Sequence, residues 1–350
     1  MKLAVLNPGG NDPEQHFPDF AGTPDEKIHA PVNFHAYAAC TGGSFYRKDT
    51  TIPEDTKEVL LLLRHDLKAS RQAMIELRRA GKTVMISLKE TGASQVAELL
   101  SNASKLKLFR EICTRVAGAI AATEDLAPLY RAAGVRDVEF IPTPYPVEDP
   151  RWDFSIEKAA ASAPHQEPAE RHGIFLGTRE FRTPSRNHLA ALLAVRPLAE
   201  SMSQPVTVFN CDGWRGRRLL AQLRYPDELL NVIEGRMSYP RYLRLMSRHR
   251  IVFQLDASAV PGQVAGDALL SRVPCIGGNG TIERIVFPDL CGHGRNTEQL
   301  FDIAARLLDH PHDCIVAAER ALELARQSIS FERGAKQLDQ FFAPHRRSVG

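Results

Sequence analysis

The hydrophobic period of this chain changes back and forth between two values, and that alternation constrains its fold more than any other feature. Short apolar runs of strand length alternate with longer segments whose apolar residues recur every three or four positions. The runs at 2–7, 58–63, 83–88, 119–122 and 138–141 read as strands. The run at 58–63, EVLLLL, is continuous, as a strand must be when helices cover both faces of its sheet. Segments 67–80, 94–117 and 126–133 read as helices between them. In the first, Ala69, Ala73, Leu77 and Ala80 share one face, and Gly81 stops the helix. Residues 148–172 break the pattern with proline, alanine and charge, the signature of a linker. Strands then resume at 173–176, 206–209, 251–255 and 275–276, with helices at 188–200, 242–249, 265–270 and 297–308. Strand–helix alternation predicts parallel sheets, so the chain is expected to be an α/β protein with two Rossmann-like domains.

Charge adds a second asymmetry. The 350 residues carry 44 basic and 42 acidic side chains, a net +2 that points to neither nucleic acid nor membrane. Residues 171–250, however, hold fourteen arginines, no lysine and six acids. A polyanionic ligand suits such a lobe, because guanidinium bonds phosphate through two parallel donors. An arginine-rich genome decorating solvated faces would give the same composition. No aromatic stacking platform for nucleic acid accompanies the arginines. No apolar run reaches membrane-spanning length. The start, MKLAVLNPGG, reads as a strand and turn, without the features of a signal peptide. Six scattered cysteines, Cys40, Cys113, Cys211, Cys275, Cys291 and Cys314, form no CxxC pair and suggest reduced thiols and a cytoplasmic location.

In doubly wound sheets ligands bind beyond the carboxyl ends of the strands, so the segments after strands matter most. Asn7-Pro8-Gly9-Gly10 follows the first strand, and its glycines permit close backbone approach to an anion or sugar. Arg179 and Arg186 flank a loop leading into a helix, a natural diphosphate site, although exposed loop charge would look the same. Pro261 and Gly262 lead into a helix carrying Asp267, where an acid also suits the helix dipole. Gly277-Gly278-Asn279-Gly280, with Glu283 beyond, forms a further glycine-rich loop. His65-Asp66 could be a base and its orienter, with His16, His35, Lys89 and Glu90 as rivals. There is no GxGxxG, Walker loop, GxSxG or HExxH. Cys291-Gly292-His293 and the run from His310 to Cys314 lack the matching half of a metal site, so no metal is expected.

Several segments, taken in order, resemble a known family. They are FLGTR at 175–179 with Arg186-Asn187, residues 232–258, GDALLSRVPCIGGNGTIERIV at 266–286 and SISFERGAKQLDQFF at 328–342. Together they resemble the nucleotide-sugar domain of GT-B glycosyltransferases, particularly the large retaining family four. Residues 122–144 are similar to the end of that family's first domain. The resemblance implies a first domain over 1–155, rejoined by a crossing helix at 330–350, and a nucleotide-sugar domain over 172–329, facing each other across a cleft. It implies transfer of a sugar, with retention, to a glycan, lipid-linked or small-molecule acceptor, without cofactor. Membrane contact would be at most peripheral.

Within that resemblance, Arg179 and Arg186 would stabilise the departing diphosphate. Gly177, Met237, Gly262, Gln263 and Val264 would line the donor, and Asp267 would hold its ribose. Gly9 and Gly10 would bind the donor from across the cleft, near its phosphate or the acceptor, with His65 or Asp66 on the acceptor side. Three departures stand out. The family's first glutamate is Ala259 here, its second is Asp267, and its first-domain histidine is replaced by Lys89-Glu90. The alternatives are a catalytically lapsed binding module and a sugar-nucleotide epimerase or hydrolase on the same fold.

Overall fold

A computed structural model of the chain describes residues 1–161 and 170–346. Two sheets organise it. The first contains β1 (Ala4–Leu6), β2 (Gln15–His16), β3 (Ser44–Tyr46), β4 (Glu58–Leu63), β5 (Thr83–Leu88), β6 (Gly118–Ala121) and β7 (Val138–Phe140). Their order is β2-β3-β1-β4-β5-β6-β7, parallel except where β2 pairs with β3. The second contains β8 (Ile174–Leu176), β9 (Val206–Asn210), β10 (Leu230–Glu234), β11 (Ile251–Gln254) and β12 (Cys275–Gly277). Its order is β10-β9-β8-β11-β12, parallel throughout. Two Rossmann-like sheets are therefore present, as the alternation of period requires.

The continuous apolar run of β4 is explained by its place in the sheet. Val59, Leu61 and Leu63 enter one hydrophobic core, while Leu60 and Leu62 enter the core on the opposite face. Side chains alternate across a strand, so a strand covered on both faces needs apolar residues at every position. The chain closes on itself late. The Tyr145 backbone N–H donates to Ile329 O at 2.7 Å, and the helix Phe331–Arg346 then buries Leu338 and Phe342 beside Leu3 and Val5 of the first lobe. This helix belongs by sequence to the end of the chain and by packing to its beginning.

Some elements differ from expectation. The helix expected over 94–117 is two helices, Ala93–Ser101 and Ala103–Cys113. Asn102 sits between them in extended backbone and caps the second by accepting from the N–H groups of Ser104 and Lys105. The helix expected over 242–249 begins three residues earlier, at Tyr239, with Pro240 in its first turn. β2, β3, β10 and the helices Trp214–Leu223 and Pro311–Ser328 were not expected. Part of the linker expected over 148–172, residues 162–169, and the last four residues of the crossing helix lie outside the described residues.

Candidate donor site

The carboxyl ends of β8 and β11 open into a cavity of about 100 Å³. It is lined by Gly177, Arg179, Arg186, Gly262, Gln263, Val264 and Asp267, and also by Tyr242, Gln254, Asp256 and Glu283. Glycine builds its walls. A Cβ on Gly177 would fall 2.3 Å from Val264 Cγ1, so only glycine lets the helix Gln263–Leu270 lie this close to β8. Gly262 turns the chain into that helix with φ +93, the left-handed region. The helix N-terminus therefore stands at the cavity edge, where its unpaired N–H groups favour an anion.

Arg186 ends a 3-10 turn, Pro184–Arg186. Its guanidinium pairs with Asp256, whose side chain is only 5% exposed. Asp256 in turn accepts from the Ser258 backbone N–H at 2.8 Å and from its hydroxyl. Asn187 Nδ2 donates to Leu255 O at 2.9 Å, pinning the same loop to the end of β11. The Arg179 guanidinium stands over the Tyr242 ring, 5.7 Å from its centre, and keeps an exposed surface. Two cationic groups thus share one cavity, one braced by a carboxylate and one by an aromatic face.

Two buried carboxyls face them. Asp267 is 2% exposed and accepts a hydrogen bond from the Tyr239 hydroxyl. Burial pushes its pKa up to about 7, and the Tyr239 bond and the nearby Arg179 offset only part of that. Glu283 is also 2% exposed and also pushed up to about 7 by burial, with Asp256 adding to the effect and Arg186 opposing it. Its Oε1 accepts from Gln254 Nε2 at 2.8 Å, while its Oε2 is buried with no hydrogen-bond partner. Gly262 and Gly280 make room for that carboxyl, since a Cβ on either would fall 2.0 Å or 2.4 Å from Oε2. Among the described residues no group of three His, Cys, Asp or Glu is placed to hold a metal ion.

The remaining expected residues lie elsewhere. Met237 packs half-buried against the second-lobe core, outside the cavity lining. Gly9 and Gly10 form a turn after β1 in the first lobe, where their carbonyls accept from Arg64 and Arg47. His65 is exposed beyond β4. Asp66 caps the helix Leu67–Arg79, accepting from the N–H groups of Lys68 and Ala69 at 3.1 and 3.2 Å. The structure does not bring His65 or Asp66 into the donor cavity. His35 is buried and stacked on Phe45 with ring centres 3.7 Å apart, and burial lowers its pKa to about 3. Ala259 lines a neighbouring cavity between the lobes, about 330 Å³, with Asp125 on one side and Asn279 on the other.

The lobes meet at this site. Asn33 Nδ2 donates to Gln263 Oε1 at 2.9 Å, and a Cβ on Gly92, beyond β5, would lie 3.6 Å from Val260 Cγ1. Sequence reasoning missed Asp256, Gln254, Tyr239 and Tyr242. For Asp256 a signal existed, because it directly follows the strand 251–255 whose carboxyl end was expected to bind.

Two Rossmann-like lobes with facing carboxyl edges, joined again by a C-terminal crossing helix, form the GT-B fold of glycosyltransferases. No family model matches the sequence, and no curated protein matches it significantly. Solved structures do match. Sucrose-phosphate synthase of Thermosynechococcus elongatus aligns with TM-score 0.65 at 16% identity, covering 99% of each chain. HepE of Anabaena in complex with UDP aligns with TM-score 0.62 at 14% identity, covering 98% of this chain and 100% of its own. The α,α-trehalose 6-phosphate synthase of Burkholderia multivorans aligns with TM-score 0.64 at 9% identity, covering 90% of this chain and 76% of its own. At these identities the likeness is one of fold.

Proposed function

We propose that this protein is a metal-independent glycosyltransferase that takes a sugar from a nucleotide donor and passes it, with retention, to an acceptor hydroxyl. The observation that carries this reading is the convergence of Arg179, Arg186 and the Gln263–Leu270 helix N-terminus on one cavity at the carboxyl edge of the second sheet. Transfer breaks the bond between the anomeric carbon and the diphosphate oxygen, and the electron pair leaves with the diphosphate. Fixed positive charge there lowers the barrier. The acceptor oxygen forms the new bond to the anomeric carbon and gives up its proton to the departing diphosphate. Asp267, when ionised, accepts hydrogen bonds from the ribose hydroxyls. The unpartnered Glu283 Oε2 stands in the same cavity. UDP and UDP-glucose, which complexes of HepE contain, are the first donors to try.

A second reading, a lapsed binding module, is favoured by Ala259 in place of the family's first glutamate. Calorimetric titration with UDP, followed by donor hydrolysis and transfer assays, separates the two. Nucleotide binding with turnover supports the transferase, and binding without turnover on any acceptor supports the lapsed module. Arg186→Ala should weaken UDP binding by about 1.5–3 kcal/mol, the scale of a charged hydrogen bond. An unchanged dissociation constant removes Arg186 from the site. The reading includes a cytoplasmic location, since the six cysteines are scattered along the sequence and form no CxxC pair. Among the described residues no helix is long and apolar enough to cross a membrane.

A further inference from the structure

The crossing helix and the edge strand of the first sheet enclose a space that the donor reading does not use. β7 is the outermost strand, and the helix Phe331–Arg346 lies over its neighbour β6, where a Cβ on Gly118 would fall 3.0 Å from Phe341 Cζ. Between strand and helix is a cavity of about 550 Å³, against about 100 Å³ for the donor cavity. It shares no lining residue with the donor cavity or with the interlobe cavity that holds Ala259. Its volume falls within the ~300–1,000 Å³ of small-molecule sites.

The lining mixes groups that only donate hydrogen bonds with groups that only accept them. Arg131, Arg136 and Arg333 are of the first kind, Asp137 and Glu139 of the second. Among the described residues none of the three arginines forms an ion pair. Arg131 Nη2 donates to Val138 O at 3.4 Å, which leaves most of that guanidinium fork unspent. Gln337 reaches the same cavity from the crossing helix, and its Oε1 is buried with no hydrogen-bond partner. A buried acceptor without a donor is costly unless a ligand completes it.

These groups select a ligand by its hydrogen bonding. A simple anion offers only acceptors, so it would serve the arginines and leave Gln337 Oε1 without a donor. An ammonium group offers only donors and fails the arginines. A hydroxyl is donor and acceptor in one atom, so an array of hydroxyls serves both kinds of group at once. An extended peptide also carries both, but the β7 edge is poorly built to receive one. The strand is three residues long, and Arg131 already occupies the Val138 carbonyl.

We infer that this cavity is an accessory binding site for an oligosaccharide, outside the catalytic cleft. One strand borders both spaces, since Asp137, Val138 and Glu139 line the accessory cavity and Phe140 lines the interlobe cavity. A glycan chain held here is thereby kept beside the cleft in which sugar is transferred. That the glycan is an acceptor rests on the transferase reading, whereas its binding stands on this cavity alone. Neutral chains and chains of uronic acids offer the same array of hydroxyls.

The test uses the full chain without nucleotide. Maltotriose, cellotriose and trigalacturonic acid are titrated calorimetrically, with glucose as the reference. At least one trisaccharide should bind about tenfold or more tightly than glucose. Preference for trigalacturonic acid alone assigns an acidic glycan, and preference for maltotriose or cellotriose assigns a neutral one. Gln337→Leu should weaken that binding about tenfold, with an unfolding midpoint in urea no lower than wild type, because an unpartnered acceptor adds nothing to the folded state. Arg333→Ala, at an exposed side chain, should weaken it by a similar factor and decides the matter if Gln337→Leu fails to fold. Affinity for UDP, titrated separately, should be the same in all three proteins. If no trisaccharide is preferred to glucose, or if either folded variant binds it as the wild type does, the site is overturned, since a sugar held in the catalytic cleft is insensitive to both changes. Failure of the wild type to bind UDP overturns the transferase reading instead, while the trisaccharide titrations remain decisive for the accessory site.

Discussion

Replacing Asp267 by asparagine tests the electrostatic account of the donor site. The carboxyl is 2% exposed, and its pKa is raised to about 7 from an ordinary 3.8, chiefly by burial. Unfolded, the group ionises near its ordinary value. Folded, it keeps its proton until about pH 7, so between these values the folded state binds more protons and loses stability as pH rises. The gap between 3.8 and about 7 corresponds to about 4 kcal/mol once the folded group is fully ionised. Asparagine has nearly the same shape, can still accept from the Tyr239 hydroxyl, and does not titrate. The stability of Asp267→Asn relative to wild type should therefore grow by about 2.5 kcal/mol between pH 5 and pH 8, then level off. Glu283 titrates in both proteins and largely cancels from the comparison. Urea unfolding of both proteins at pH 5, 6, 7 and 8 supplies the numbers. A difference that stays constant across that range would mean that Asp267 ionises normally, and the reasoning from burial would fail.

Two further substitutions test how the site and the lobes are built. Gly262→Ala places a Cβ 2.0 Å from Glu283 Oε2, whereas Gly81→Ala, at a similarly left-handed φ of +69, meets nothing within 4 Å. Both lose the glycine backbone advantage, and Gly262→Ala should cost about 1–3 kcal/mol more through overpacking. Equal melting shifts would show that Glu283 gives way freely. Phe342→Ala, in the crossing helix, should destabilise the first lobe by about 3–5 kcal/mol, read from urea unfolding. A negligible loss would mean that the helix is an appendage and not part of that core.

The parts of the fold that could be read from the sequence are those that burial dictates locally. β4 and β5 have the bounds their apolar runs predict, 58–63 and 83–88, because strands covered on both faces admit few polar residues. The missed elements lack that pressure. β2 and β3 are two and three residues long. β10 lies at a sheet edge and is half-exposed along its length. The helix Trp214–Leu223 buries only Gly216 and Leu220, so burial puts little pressure on its sequence. The same division runs through the site. Gly177, Gly262, Arg179, Arg186 and Asp267 announce themselves because they follow strands or open a helix.

Local sequence thus determined the two alternating lobes and the glycine and arginine positions at their strand ends, since backbone geometry and burial period act over a few residues. Only tertiary structure decided which distant groups meet. It set Asp256 against Arg186, Tyr239 on Asp267, Asn33 on Gln263, and Arg47 and Arg64 on the two sides of one turn. Those pairings depend on strand order, and strand order is settled by how whole faces pack rather than by any single segment.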